Sequence, residues 1–306
     1  MRVKLGRPDI GGYADRFDVP AAAGTFGVTF LGVTTLLFTD RASAVLTDGF
    51  FSRPSLSQVG LRRLAPDHTR IDVALARAGI ERLNAVAPVH THFDHALDAP
   101  VVAARTGAIL SGGRSATNLG RGYGLTDDQL LVVTPGEPVR FGSFRLTWVV
   151  SAHCPPDRYP GPITRAVVPP ARASAYRCGE AWSVLVEHDS GRTALVQGSA
   201  GFVPGALAGR PAEVVYLGVG QLGLQSETYI RTYWAETVET VGARRVVLTH
   251  WDDFFRPLDE PLRALPYAGD DLDATMRVLS ALGTEQGVTL QFPTVWRRED
   301  PWTALG

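Results

Sequence analysis

Short apolar runs alternate with polar breaks marked by glycine and proline along this chain. Residues 1–24 are polar and interrupted, and are expected to lie over the surface. Two β-like runs follow, Val28 to Phe38 and Ser43 to Thr47, joined by Thr39-Asp40-Arg41-Ala42; they predict a hairpin. A helix is expected from Thr69 to Ala78, with Asp67 near its start and Gly79 at its end. Asn84 to Val89 reads as a strand, Asp94 to Arg105 as a helix despite Pro100, Ala108 to Ser111 as a strand and Arg114 to Leu119 as a helix. A β-rich stretch comes next: Leu130 to Val133, Pro138 to Arg140 and Phe144 to Ser151. Trp182 to His188 and Thr193 to Gln197 form a hairpin around Asp189-Ser190-Gly191. Strands Val214 to Val219, Arg245 to Thr249 and Val288 to Phe292 then alternate with helices Ser226 to Val241 and Asp270 to Glu285. Strands followed by helices, twice over and without a linker, predict a layered α/β single domain over 1–306, with helices outside two sheets.

One segment has no period. Pro155 to Tyr176 is rich in Pro, Arg and Ala. Long loops in compact domains are commonly functional, and this one directly follows His153, so it is expected to wall a site.

Composition narrows the function classes. The chain has 306 residues, 45% hydrophobic and 20% charged, ordinary for a well-packed globular protein. Net charge is −1 with no polybasic block, which argues against a nucleic-acid surface. Lys4 is the only lysine among 30 basic residues, a bias attributable to genome composition. No charged-then-apolar leader is seen and no window approaches about 18 uninterrupted apolar residues; the expectation is a cytoplasmic protein without a membrane partner. Cys154 and Cys178 make no disulfide framework, although one bridge between them is open.

The chemistry concentrates in His90-Thr91-His92-Phe93-Asp94-His95, which holds three of the seven histidines. Imidazole is the commonest biological metal ligand, and carboxylate its usual oxygen partner. If the segment is extended, His90, His92 and Asp94 point to one side. A turn at Asp94, a favoured helix N-cap, would swing His95 round to join them. His153 and His250 both follow apolar strands, at C-terminal ends where loops gather and sites form. His68 precedes a helix and His188 a hairpin turn; neither is expected to bind metal. Cys154 is read as a small buried residue, with a metal or redox role as the alternative.

The ordered set Asp48, His90-x-His92-x-Asp94-His95, His153 and His250 resembles the metallo-β-lactamase superfamily, from about Val28 to His250. The resemblance implies a four-layer αβ/βα sandwich of two mixed β-sheets with metal sites at the edge between them. It implies His90, His92 and His153 on one ion, Asp94, His95 and His250 on a second, and Asp48 bracing the site from behind. One position departs. In Leu195-Val196-Gln197-Gly198-Ser199, Ser199 stands where the family has an aspartate bridging both ions. Either the second ion is weakened or absent, or a nearby carboxylate, Asp252 or Asp253, substitutes. Capping or surface charge is the ordinary role for those two. The His250-Trp251-Asp252-Asp253 run and the missing bridging aspartate look more like the branch related to ascorbate-phosphate lactonases than like true β-lactamases.

The expected activity is metal-assisted hydrolysis of a small-molecule ester, lactone, amide or phosphodiester. A bound dication lowers the pKa of water from about 15.7 towards about 7. Zinc, one ion or two, suits the donor set; manganese or iron also fits. Asp94 would orient the water and take its proton. Arg256 could hold an anionic substrate group or make a surface salt bridge, and Tyr159 and Tyr176 are candidate oxyanion donors. The alternatives are a mononuclear-iron redox enzyme and a metal-stabilised binding protein without catalysis. No substrate domain is evident, so a small molecule is expected in place of RNA or DNA.

Overall fold

The computed structural model describes residues 4–305; residues 1–3, which head the polar N-terminal stretch, and residue 306 lie outside the described residues. The run Val28 to Phe38 is two strands, β1 (Gly27–Phe30) and β2 (Leu36–Thr39). It folds back where Gly32 and Val33 take φ of +89° and +53° and Leu31 N donates to Thr35 O at 2.9 Å. Leu31, Val33, Thr34 and Thr35 are all fully buried, so no exposed polar residue marks the turn. The hairpin expected around Thr39 to Ala42 joins β2 to β3 (Ala44–Thr47). β4 (Ala85–Ala87), β5 (Ile109–Gly112) and β6 (Leu130–Val132) then add in parallel.

The second sheet begins with β7 (Pro138–Phe141), β8 (Phe144–Val150), β9 (Trp182–His188) and β10 (Thr193–Gln197), all antiparallel. β11 (Val214–Gly218), β12 (Arg245–Thr249) and β13 (Thr289–Gln291) follow in parallel. A short strand not expected from sequence, β14 (Arg298–Glu299), returns to the first sheet and pairs with β1. The orders are β14-β1-β2-β3-β4-β5-β6 and β13-β12-β11-β10-β9-β8-β7.

Period-two alternation makes the layers. Val214 and Tyr216 face the first sheet, packed with Phe38, Val45 and Trp148. Val215 and Leu217 face outward, against Ile230, Tyr233 and Leu279. After the exposed α1 (Leu56–Leu61), the first sheet is covered by α2 (His68–Arg77) and, beyond the one-turn α3 (Phe93–Ala96), by α4 (Ala99–Thr106) and α5 (Arg114–Gly122). α6 (Glu227–Trp234) and α7 (Leu272–Gln286) cover the second. The two sheets with helices on their outer faces are the expected four-layer αβ/βα sandwich. Each fully buried side chain such as Leu36 or Phe38 contributes about 1.5–3 kcal/mol.

Two predicted helices are altered. Asp94 to Arg105 is broken into α3 and α4 at Asp98, whose buried carboxylate accepts from Phe51 N, Ser52 N and Ser52 Oγ at 2.6–2.7 Å. Pro100 then sits harmlessly in the first turn of α4. Ser226 to Val241 is α-helical only to Trp234 and widens to a π-turn over 235–239. Asp67 caps α2 by accepting from Arg70 N at 3.1 Å. Cys154 and Cys178 are free thiols. Among the described residues no helix is long and apolar enough to cross a membrane.

Candidate metal centre

The C-terminal ends of β3, β4, β8, β10 and β12 bring Asp48, His90, His153, Ser199 and His250 to one edge of the sandwich. Asp48 follows β3 with φ +55°. Its Oδ1 accepts from Val89 N at 2.9 Å; its Oδ2 accepts from the Thr34 hydroxyl and lies 2.9 Å from His95 Nδ1. The turn after β1 thus braces the ligand-type histidine through Thr34. The chain enters α3 at Phe93, with His92 as the extended cap residue, so the turn starts two residues before the expected Asp94. That places Asp94 and His95 within one helical turn.

Two groups result. In the first, His90, His92 and His153 offer nitrogens within 4.8 Å of one another. His90 Nε2 and His92 Nδ1 are 3.2 Å apart. His153 Nδ1 lies 2.7 Å from Cys154 O, which makes it the protonated nitrogen and leaves Nε2 as the donor. In the second, Asp94 Oδ2 is 3.6 Å from His95 Nε2 and 3.5 Å from His250 Nε2. The His90 and His95 rings, 3.9 Å apart, join the two groups. His250 holds φ +59°, with its N–H donating to Val33 O at 2.7 Å.

The electrostatics suit a cation. Burial, then the neighbouring imidazoles, pull His90 well below its usual range. Burial also lowers His92, against Asp94 and Asp157, and burial with His92 beside it brings His153 to about 4. Burial works against the charge on Asp94, but His95, His250 and His92 outweigh it and hold the carboxyl far below the usual range. Burial also opposes charge on His95, yet Asp48 and Asp94 raise it. His95 Nε2 is buried without a hydrogen-bond partner, since Asp48 occupies the other nitrogen. A buried orphan of that kind is costly unless something else engages it. Neutral imidazoles and an ionised carboxylate around it form a donor set that fits a divalent ion.

The remaining candidates lie elsewhere or are occupied. Ser199 Oγ accepts from Cys154 N at 2.9 Å, so it fastens the His153 loop. Asp252 is not turned to the cluster: it is fully buried, ion-paired to Arg53, and accepts from Val33 N at 2.9 Å. Asp253 pairs with Arg7 and Arg263, each at 3.1 Å. Neither therefore replaces the bridging carboxylate. Arg256 is engaged by Glu260. Tyr176 is fully buried, its hydroxyl 2.7 Å from that of Tyr123, too committed to serve as an oxyanion donor. Tyr159 stays at the site, its ring 6.4 Å from that of His92. Cys154 is buried, and burial pushes its thiol up to about 12. His68 is exposed, and His188 meets Asp40 at 3.0 Å.

Three residues were missed from sequence. Thr34 carries no signal apart from its hidden turn. Asp157 and Cys178 join His92 in a third group of ligand-type atoms within 4.8 Å; only their place in and just after the unpatterned loop pointed to them.

No protein-family model matches the sequence, and no curated protein is detectably similar to it. Solved structures do match in shape. A protein from Veillonella parvula, described as a candidate metal-dependent hydrolase, is 16% identical at a TM-score of 0.55, over 90% of this chain and 99% of that one. Another so described, from Parabacteroides distasonis, is 11% identical at 0.55, over 91% and 99%. CmlA, a diiron β-hydroxylase from Streptomyces venezuelae, is 13% identical at 0.54; 90% of this chain matches 54% of that one. At such identities the likeness is one of fold, and the two mixed sheets with their covering helices are the four-layer sandwich of the metallo-β-lactamase fold.

Proposed function

We propose that the protein is a metal-dependent hydrolase of small-molecule esters, lactones, amides or phosphodiesters. The observation that carries this is the pair of adjoining groups, His90/His92/His153 and Asp94/His95/His250, at the strand-end edge. The first would hold one ion and the second another; zinc suits these donors, and manganese or iron would also be accepted. When bound, such an ion supplies Lewis acidity and lowers the pKa of water.

The chain's own residues perform the rest. His90, His92 and His153 are kept neutral, as donors must be. Asp94 stays ionised, able to orient a water and accept its proton. Asp48 and Thr34 fix the His95 ring. Phe254 lies 5.5 Å from His250 and Tyr159 flanks His92, so partly exposed aromatic rings border the site on both sides. Arg53 and Arg256 are taken by Asp252 and Glu260, so neither stands free to hold an anionic substrate group. Kinship with the ascorbate-phosphate lactonase branch rests only on the His250-Trp251-Asp252-Asp253 run and on Ser199 at the bridging position. The two free thiols fit the reducing cytoplasm we propose for it.

The test is metal content together with hydrolysis of aryl esters, lactones and bis-aryl phosphodiesters, before and after chelation. Metal-dependent turnover supports the proposal. Absence of turnover with zinc, manganese or iron loaded would sink it: one tight iron would then point to redox chemistry, and a tightly held but inert ion to a binding protein.

A further inference from the structure

We propose that Asp157 is a positioning residue that fixes which nitrogen His92 presents to the metal, a role that rests on the metal-centre reading above. His92 offers Nδ1 towards His90 Nε2 at 3.2 Å. A neutral imidazole that coordinates through Nδ1 carries its proton on Nε2. That second nitrogen is buried, and no hydrogen-bond partner meets it in line. Asp157 Oδ1 lies 3.2 Å away but off the N–H axis, and the Tyr159 backbone also faces the ring. Two of the other histidines have their rear nitrogens engaged from within the sandwich, His153 by Cys154 O and His95 by Asp48, whereas His250 Nδ1 is buried without a partner. For His92 the partner comes from the unpatterned loop.

The loop is tied so that this partner keeps its place. Tyr159 N donates to Asp157 Oδ1 at 3.0 Å, curling the loop around the carboxylate. Tyr159 O accepts from Cys178 N at 2.8 Å, and Cys178 O accepts from Thr91 N at 2.8 Å. Thr91 adjoins His92, so carboxylate and imidazole share one frame. Partners behind a ligating histidine orient its ring and raise its basicity, and losing one typically costs about 10–100-fold in metal affinity. The competing arrangement is a separate ion held by His92, Asp157 and Cys178. It would require His92 to give up its proton and donate through both nitrogens.

The experiment uses the full chain, stripped of metal, as wild type and as Asp157→Asn, Asp157→Ala and Asp157→Glu. Zinc affinity is read by competition with a chromogenic chelator, stoichiometry by elemental analysis, and the His92 ring protons by imidazole 15N NMR of the zinc forms. The expected result is a 10–100-fold weaker tightest site in Asp157→Asn and Asp157→Ala at unchanged stoichiometry. The His92 Nε2 proton should exchange faster in both, and Asp157→Glu should recover part of each effect. The asparagine form is near-isosteric at a partly exposed position, so it carries the test if the alanine form misfolds. Unchanged affinity in the asparagine form would overturn the proposal. So would the loss of one whole zinc equivalent with the remainder bound as tightly as before, which would assign Asp157 to an ion of its own. A wild type with no tight zinc would overturn the metal-centre reading, and this proposal with it.

Discussion

Arg53 carries its guanidinium into the interior with Asp252 as its counter-charge, both side chains fully buried. Its Nε has no partner, and its backbone holds φ +43°. Breaking a buried pair leaves a bare charge, which costs about 3–5 kcal/mol. Arg53→Met should therefore lower unfolding stability by about that much in urea titration, while Arg53→Met with Asp252→Asn should recover a large part. A double variant no more stable than the single one would refute this. His92→Ala should lose the metal and at least about 100-fold in activity, more than is typical for residues behind a ligand, with circular dichroism unchanged. At this scale the sequence was readable where donors crowd together. The four donor side chains within six residues, and His153 and His250 singled out by their strand ends, do come together in the structure. Asp252 misled because a carboxylate beside a ligand histidine looks the same whether it faces the metal or an arginine far away in sequence. Asp157 was silent because its meaning depends on a loop path that no periodicity records.

Among elements, the arm from β8 to His153 is closely packed against the backbone at Gly201. A Cβ on Gly201 would stand 2.3 Å from Ala152 O and 2.5 Å from the His153 carbonyl carbon. Backbone cannot yield as a flexible side chain can, so Gly201→Ala should displace His153. We expect zinc affinity to fall at least 10-fold, on the order of losing a supporting partner, with secondary structure retained; chelator competition checks it. Gly191→Ala meets open space but has φ +86°, so it should trim stability and leave metal affinity untouched. Element types were legible from period and turn chemistry, and boundaries less so. The fold-back between β1 and β2 stayed hidden because the turn itself is fully buried. β14 is two residues long and is set by pairing with β1, beyond any local pattern.

Across the whole molecule, the C-terminal segment clasps the two sheets. β14 extends the first, while Arg245 on β12 donates to Pro301 O and Thr303 O, and Trp302 Nε1 donates to Thr193 O at 3.1 Å. Glu299 sits in this clasp, 1% exposed. Burial drives its carboxyl up to about 7, against the hydrogen bonds from Thr294 and Arg297. A folded pKa above the unfolded one gives stability that is complete below the unfolded value, near 4.5, and is lost as pH rises through about 7. Glu299→Gln should flatten that decline between pH 5 and 8, an effect of at most about 3 kcal/mol, read from denaturation midpoints across pH. An unaltered pH profile would contradict it. Metal removal should also act on the molecule as a whole, because the donors come from both sheets. Free zinc at about 100 times its dissociation constant should add about 2.7 kcal/mol to stability, visible as a higher Tm that chelation abolishes.

That division of donors between sheets also orders events in time. A ribosome adds about 5–20 residues per second, so His90, His92, Asp94 and His95 emerge seconds before His153, and His250 follows later still. The newborn chain thus carries an open chelating stretch before its partners exist. An ion captured then is gripped by too few groups for geometry to reject the wrong element, and raw affinity alone favours copper over zinc. Faithful loading therefore belongs to the finished protein, after synthesis, when the second sheet has closed over the motif.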